Sequence, residues 1–457
     1  MSTVLDPAPG VLASSEVTAW HHALATSGLP VPRSAQADAQ RVDLLTSLEQ
    51  LKNAICAVQA DLAVGLDASQ RAQQAQAGVP VARRGLGVAS QVGLARQESP
   101  HRGGVLLGLG KALVAELPHT RAALRAGLIS EYAALLVARE SACLDPVDRA
   151  EVDEVLCADP EALHGVGPRG LAAQARSRSA VLDPASVVRR ARRAETQRCL
   201  TLRPAPDTMA YLTALVPVAQ GVAAYAAMSR GAEALRGAGD LRSRGQLMAD
   251  LLVERLTGQE EADAVPVSVD LVISDASLFG AGHEPAVLGA VAVPAQVARE
   301  LVARALETPT DTWLRRLYAA PDGELVAISS RQRFVRGGLA AFLRVRDQGL
   351  CRVAWCEAPA RHADHLLDTA RGGDSTGANT QSLCQGCNHA KQAPGWSHRA
   401  RPGPGVHAVE VTTPTGHRHT STPPQVPRPA TPARSRVDQA LDQILERLAD
   451  SGTRGRC

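Results

Sequence analysis

Four cysteines constrain this chain more than any other feature. Cys351 and Cys356 are spaced C-x4-C, Cys384 and Cys387 are spaced C-x2-C, and all four fall within 37 residues. Each pair offers two thiolates from one tight turn. Two such turns brought together make the tetrahedral four-thiolate cage that zinc accepts in structural sites. With four protein ligands the site is closed, so its expected role is to hold the fold. Buried thiols or chance spacing are the plain alternative, and that is the reading given to Cys56, Cys143, Cys157, Cys199 and Cys457.

Composition sets the frame around this cluster. At 457 residues the chain has room for about two to four domains, and an apolar fraction of 45% supplies an ordinary globular core. Aromatic residues make up only 2%, so that core is aliphatic, built from Leu, Val and Ala, which favours helices. The start, MSTVLDPAPGVLASSEV, lacks the basic and apolar runs of an export signal, and the expected compartment is the reducing cytoplasm, where disulfides are disfavoured. The uncharged run from Met209 to Met228 reaches the length of a membrane span. Pro217 and Gln220 interrupt it and Ala dominates the rest, so it reads as a buried helix pair and no membrane partner is expected.

Apolar periodicity divides the chain. Residues 1–40, rich in Ala, Ser and Pro, read as a flexible lead. Over 41–260 a mainly α domain is expected, because Leu44, Leu45, Leu48, Leu51, Ile55, Val58, Leu62 and Leu66 recur at spacings of three and four on one helix stripe. Similar patterns mark Val105–Leu117, Thr120–Arg139, Pro146–Cys157 and Gln246–Leu256. Residues 261–338 read as a mixed α/β connecting segment: Val265, Val267, Val269 and Leu271 alternate as in a half-buried strand, and Val287–Val293 gives a second apolar run. Helical patterning returns over Pro294–Leu306, and PDGELVAI turns into another strand. Residues 339–400 carry the cysteines, and 401–457 form a Pro-rich tail closing on an amphipathic helix, Val437–Leu448. No internal repeat, phosphate-binding glycine loop or GxSxG elbow is present.

Charge is unevenly placed. The chain carries +3 overall, but Arg331 to Cys457 holds 18 Lys+Arg against 10 Asp+Glu, a net of +8 that leaves −5 for the rest. The part with the cysteines is therefore the part that attracts a polyanion. Upstream, Arg176, Arg178, Arg189, Arg190, Arg192, Arg193 and Arg198 form a second basic cluster, read first as a solvated helix face and second as a phosphate contact.

Between the knuckles lie Asp364 and His365, the pair Gly372-Gly373 and Asn379, and Cys387 is followed by Asn388, His389 and Lys391. A carboxylate beside a histidine offers a hard metal ligand next to a general base, and Asn388 offers a further oxygen. Mg2+ takes such ligands and keeps positions open for phosphate and water. Adjacent strand residues point to opposite faces, so Asp364 and His365 share one site only where the backbone bends. The pattern D-H-x13-N-x4-C-x2-C-N-x2-K behind a C-x4-C knuckle resembles the HNH endonuclease module, a small ββα-metal fold. RSRGQLMADLLVERLTG and FLRVRDQGLCRVAWC extend the likeness upstream, to an actinobacterial repeat family in which a helical domain of unknown function precedes an HNH module.

The resemblance implies a zinc-stabilised ββα domain with His365 as general base and Asn379 holding it in place. It implies a catalytic Mg2+ or other divalent cation on Asp364 and Asn388, and Arg371 and Lys391 become candidate phosphate contacts. It departs from the pattern where Asn388 replaces a common histidine, leaving His389 as the competing ligand, and where Asp368 replaces a common proline. The expected function is a metal-dependent DNA endonuclease in which His365 takes a proton from the attacking water. The competing expectation is a zinc-stabilised DNA-binding or scaffold protein whose nuclease site has decayed and whose helical domain does the work. Both keep the four cysteines, and the oligomeric state is left open.

Overall fold

A computed structural model of the chain describes residues 12–28, 35–206, 209–259, 271–273, 277, 283–288, 291–307, 337–401 and 407–424. The chain divides into two units, Met1–Gln59 with Leu113–Arg178 and Ala60–Ala112 with Ser179–Cys457. The N-terminal region is largely helical, the middle mixes helices and strands, and the C-terminal region gathers around the four cysteines. The helix expected over Val437–Leu448, Cys457, and the strands expected at Val265–Val269 and in PDGELVAI lie outside the described residues. Among the described residues no helix is long and apolar enough to cross a membrane.

Helices come first: α1 (Ser14–Thr26), α2 (Ala35–Gln76), α3 (Val88–Ala95), α4 (Pro100–Ala115), α5 (Pro118–Arg125), α6 (Glu131–Glu140), α7 (Pro146–Cys157), α8 (Pro168–Leu182) and α9 (Pro184–Glu195). The helical patterning over Thr120–Arg139 is divided at GLIS into α5 and α6. Gly127 adopts the left-handed backbone at φ 79, and the Ser130 hydroxyl then caps α6 by accepting from the Ala133 N–H. The first unit has the aliphatic core that composition predicts, with Leu113, Leu117, Leu124, Val137, Val152 and Leu171 fully buried. Each such side chain contributes about 1.5–3 kcal/mol.

The leucine stripe of α2 is helical as expected but faces outward. Leu44, Leu48, Leu51 and Ile55 remain exposed, while Asn53 and Ala57 on the other side of the helix are buried in the first unit. Asn53 Nδ2 donates to Gly127 O at 3.3 Å. Along the second unit's share of α2 the buried residues are Ala60, Ala63, Asp67, Gln70 and Gln74. Alanines on the inward face let packed helices approach to the short end of the usual ~8–10 Å range, and polar side chains fill the rest of it.

In the second unit β1 (Cys199–Pro204) pairs antiparallel with β2 (Ala210–Leu215), Cys199 opposite Leu215. Helices α10 (Val218–Gly237) and α11 (Arg244–Thr257) then form a helical hairpin. The run Met209–Met228 is therefore a strand and a helix start, not a buried helix pair. Tyr211 and Thr213 favour extended backbone, and Pro217 occupies the N-cap of α10. Three short antiparallel strands follow, β3 (Leu271–Val272), β4 (Ala286–Leu288) and β5 (Val291–Val293), then α12 (Ala295–Glu307) and α13 (Gly337–Arg346). The cysteine region contains β6 (His362–His365), β7 (Thr380–Leu383), α14 (Gln385–Lys391) and the strands β8 (Ser397–Arg401), β9 (Ala408–Thr412) and β10 (Arg418–Ser421), the last three forming one antiparallel sheet with β9 in the middle. Leu94 of α3 joins the same buried cluster as the cysteines. Gly87 permits the approach, because a Cβ there would lie 2.5 Å from Trp396 Nε1.

Helix α5 starts after Leu117, which has no side-chain oxygen to cap it. Asp153 of α7 substitutes: fully buried, it accepts from the His119 N–H at 2.7 Å, the Thr120 N–H at 2.8 Å and the Thr120 hydroxyl at 2.5 Å. Asp153→Ala leaves these donors without a partner and is expected to cost about 2–4 kcal/mol. Glu154→Ala, one residue on and exposed, is expected to stay within about 0.5 kcal/mol of wild type. Urea titrations of both variants followed by circular dichroism check the contrast.

Candidate metal centre

The first knuckle follows α13 directly. The Cys351 N–H donates to Ala358 O at 2.9 Å and Leu350 bridges Pro359, so the chain folds back over the C-x4-C segment. The return holds Trp355 (φ 58) and Glu357 (φ 43) in left-handed backbone, a region that residues other than glycine rarely occupy. The second knuckle is a helix start. Cys384 caps α14, its Sγ accepting from the Cys387 N–H at 3.4 Å.

The four Sγ atoms lie within 4.8 Å of one another. Cys356 Sγ is 3.6 Å from Cys384 Sγ and 3.7 Å from Cys387 Sγ. A tetrahedral zinc with bonds of about 2.3 Å requires S–S edges of about 3.8 Å, so the cage fits zinc. Cys351, Cys356 and Cys387 are buried, and Cys384 is half-buried. Hydrogen bonding inside the cluster, from Cys351 first, pushes the Cys384 thiol down and the Cys387 thiol up. Crowded thiols thus share protons, and a bound dication is what lets all four ionise together. The cluster is a structural zinc-binding site.

Two strands and a helix carry the other motif residues. In the β6–β7 pair Asp364 stands opposite Gln381 and His365 opposite Thr380. Asp364 Oδ2 receives the Lys391 ammonium at 2.6 Å and the Gln381 Nε2 at 3.4 Å. Lys391 also donates to His365 O and reaches Asp368 Oδ1 at 3.4 Å. His365 Nε2 lies 2.9 Å from the Ser375 hydroxyl. The Asn379 amide pins the loop between the strands: its Oδ1 accepts from the Leu367 N–H at 2.9 Å, and its Nδ2 donates to Leu367 O at 3.1 Å and Asp374 O at 2.7 Å. Gly373 closes the same loop, since a Cβ there would lie 1.8 Å from Leu367 O. Asn388 is half-buried, while His389 and Arg371 are exposed.

These placements overturn the expected endonuclease. Among the described residues, the one group of three or more His, Cys, Asp or Glu positioned to share a metal is Cys351, Cys356, Cys384 and Cys387. Asp364 and His365 are not part of it, and a four-thiolate site is closed to substrate. The divalent ion expected on Asp364 and Asn388 gains no support: the Asp364 carboxylate is paired with the Lys391 ammonium at 2.6 Å instead. Lys391, expected on phosphate, is engaged with Asp364 and Asp368 instead. A general base at His365 is left without the metal it was to work beside.

The sequence pattern misses the buried ionic network that holds the first knuckle. Asp347, with no exposed surface, accepts from Arg346 Nε at 2.8 Å, Arg346 Nη2 at 3.0 Å and the Ser382 N–H at 3.0 Å, and pairs with Arg352 at 3.4 Å. Arg346 continues to Gly377 O and Thr380 O, and Arg352 to His407 O and Ser421 O. Burial pushes the Arg352 guanidinium down to about 10, which leaves it charged at neutral pH. The run RVRDQGLCR is the only signal of this network in the sequence. His398 is buried on β8 against the Gln381 amide. Burial first, and the Lys391 charge second, lower its pKa to about 3.

Residues 42–347 match the family described as a domain of unknown function (DUF222), and the chain belongs to that family. The match ends before the first zinc ligand. No curated protein and no solved structure matches the chain.

Because a preformed zinc site does not exist in the unfolded chain, metal binding is coupled to folding. Cys384→Ser should lose bound zinc and protease resistance across residues 345–400, while His365→Ala keeps both. Metal analysis with limited proteolysis checks this, and full zinc in Cys384→Ser would show that the ligands are wrongly assigned. His398 gives a second test. Its folded pKa is about 3 against 6.5 in the open chain, so the unfolded state takes up the proton first. Stability is then full above about pH 6.5 and falls toward pH 3 by about 1.4 kcal/mol per pH unit. Denaturation curves of His398→Gln between about pH 5 and 7 should show a pH slope shallower by about one proton.

Proposed function

We propose that this member of the DUF222 family is a zinc-stabilised DNA-binding protein in which the four-cysteine site holds the C-terminal fold and the arginine-rich face of α9 contacts phosphate. One observation carries the reading. From Pro184 to Pro204 the chain has six arginines and a single acidic residue, Glu195. Arg192, Arg193 and Arg198 are exposed and have no acidic partner among the described residues. Arg189 pairs with Asp183 at 3.7 Å near the helix start. The next strand brings Arg203 over the Tyr211 ring at 4.5 Å, a planar cation beside an exposed aromatic.

We favour α9 because its arginines lie close together on one short segment, whereas in the cysteine region three of the cations are already engaged. Arg346 and Arg352 are buried around Asp347, and Lys391 is paired with Asp364. Exposed arginines without carboxylate partners lose little on meeting phosphate and release condensed counterions from the duplex. A cluster of this kind reads backbone and charge, not base sequence.

Fluorescence anisotropy with a labelled duplex between about 50 and 200 mM salt tests this, because log affinity falls with log salt by about 0.9 per phosphate contact. The triple variant Arg192→Ala, Arg193→Ala, Arg198→Ala should flatten that slope by about two to three and weaken binding, with zinc content unchanged. His365→Ala should leave both affinity and slope as in wild type. Equal slope and affinity in the triple variant would remove α9 as the contact.

A further inference from the structure

The outward stripe of α2 has no cover among the described residues. Leu44, Leu48, Leu51 and Ile55 are 42, 38, 40 and 42% exposed. Their spacing of four, three and four is the repeat that keeps one seam of a helix facing a partner helix. The other side of the same helix is already buried through Asn53 and Ala57, so the stripe is a second, separate contact face. Helix α1 adds an independent observation. It has 13 residues and buries none of them, and Val17, Trp20 and Leu24, again spaced three and four, are 45, 51 and 53% exposed. A helix of that length is marginal in water by itself, so its helical state calls for an apolar partner.

We infer that the partner is a second copy of this chain, joined in a two-fold homodimer through α1 and the N-terminal half of α2. The stripe is self-complementary. Turned antiparallel about the point between Glu49 and Gln50, it sets Leu48 against the partner's Leu51 and Leu44 against the partner's Ile55. Leu45 then meets the apolar stem of the partner's Lys52. The Lys52 ammonium is held by Glu49 of its own helix at 2.6 Å, so no like charges face each other across the seam. One patch used twice closes the assembly at two copies. The α2 stripes and α1 helices of two copies together supply roughly 1,200 Å² of interface, the lower edge of what specific interfaces bury.

The inference does not depend on DNA binding and is tested without it. Light scattering coupled to size exclusion of the full, zinc-loaded chain should give twice the 47.8 kDa chain mass. A chain with Leu48→Glu and Leu51→Glu should give the single-chain mass, with zinc content and helical circular dichroism unchanged. Mixing it with a chain carrying Leu48→Lys and Leu51→Lys should restore the doubled mass, because each acidic position then faces a basic one. That rescue separates loss of the interface from loss of the fold. A wild-type chain that is monomeric at every concentration, or a dimer that survives the glutamate substitutions, would overturn the inference. So would a monomeric wild type that dimerises once the chain is ended at Pro424, since residues 437–448 repeat the same apolar spacing and would then be the occupant of the stripe.

Discussion

Four thiol sulfurs within 4.8 Å of one another repel as soon as they ionise, and a divalent cation is the one partner that turns that repulsion into a cross-link. The rest of the C-terminal region is arranged around this condition. The buried cluster that contains Cys351, Cys356 and Cys387 also contains Leu94, Val353, Leu366, Leu383, Val409 and Val411, so the ligands are themselves core residues. With 2% aromatic residues in the chain, few large side chains are available to fill such a small core. Structural zinc contributes on the order of 10–16 kcal/mol of apparent binding free energy, comparable to the ~5–15 kcal/mol net stability of a whole domain. The metal therefore decides whether this region folds, and the aliphatic side chains decide its shape.

The same geometry separates the motif from the chemistry it suggested. Asp364 is neutralised by Lys391, whose ammonium is little exposed, and a lysine fixed on an amino-acid spacing of 27 residues is a permanent counterion where a nuclease would keep a labile one. Asn379 and Gly373 each have a complete structural explanation in the loop closed by Leu367. His365 is tied to Ser375 on the strand face turned from Asp364. Asp364, His365, Gly373, Asn379 and Lys391 thus each help to hold strands β6 and β7, the loop between them and α14 together.

What the sequence made legible follows the strength of local signals. The zinc ligands were readable because thiolate pairs at knuckle spacing have few other uses, and α7 was readable to the residue because Asp145 caps it and Pro146 opens it. The outward turn of the α2 stripe was not, because periodicity identifies a face and says nothing about which face is covered; Ala57 and Asn53 won the inner side by size and by one hydrogen bond to Gly127. The Asp364–Lys391 pair was equally hidden, since both residues have functional readings of their own and only the fold brings them to 2.6 Å. The burial of His398 was not legible either, since its sequence neighbours Ser397 and Arg399 are polar, yet register with Val411 on β9 places it in the sheet.

Net charge is the coarsest of these signals, because it does not say which charges are free to meet a partner. The +8 of residues 331–457 counts Arg346 and Arg352, which are buried around Asp347 and cannot leave it for a phosphate without exposing a carboxylate that has no surface. It counts Lys391, which two aspartates hold. In the first unit the same reduction applies: Arg176 lies on Glu140, Arg178 on Glu151 and Arg149 on Glu116. Those pairs stabilise helices and contribute little to an external field, because each charge is compensated within a few ångströms. Arg192, Arg193 and Arg198 differ in kind. They sit at and just beyond the C-terminal end of α9, where cations favour the helix dipole, so the helix stabilises their placement without supplying a carboxylate to hold them. A charge that is positioned but not neutralised is the arrangement that a polyanion meets first.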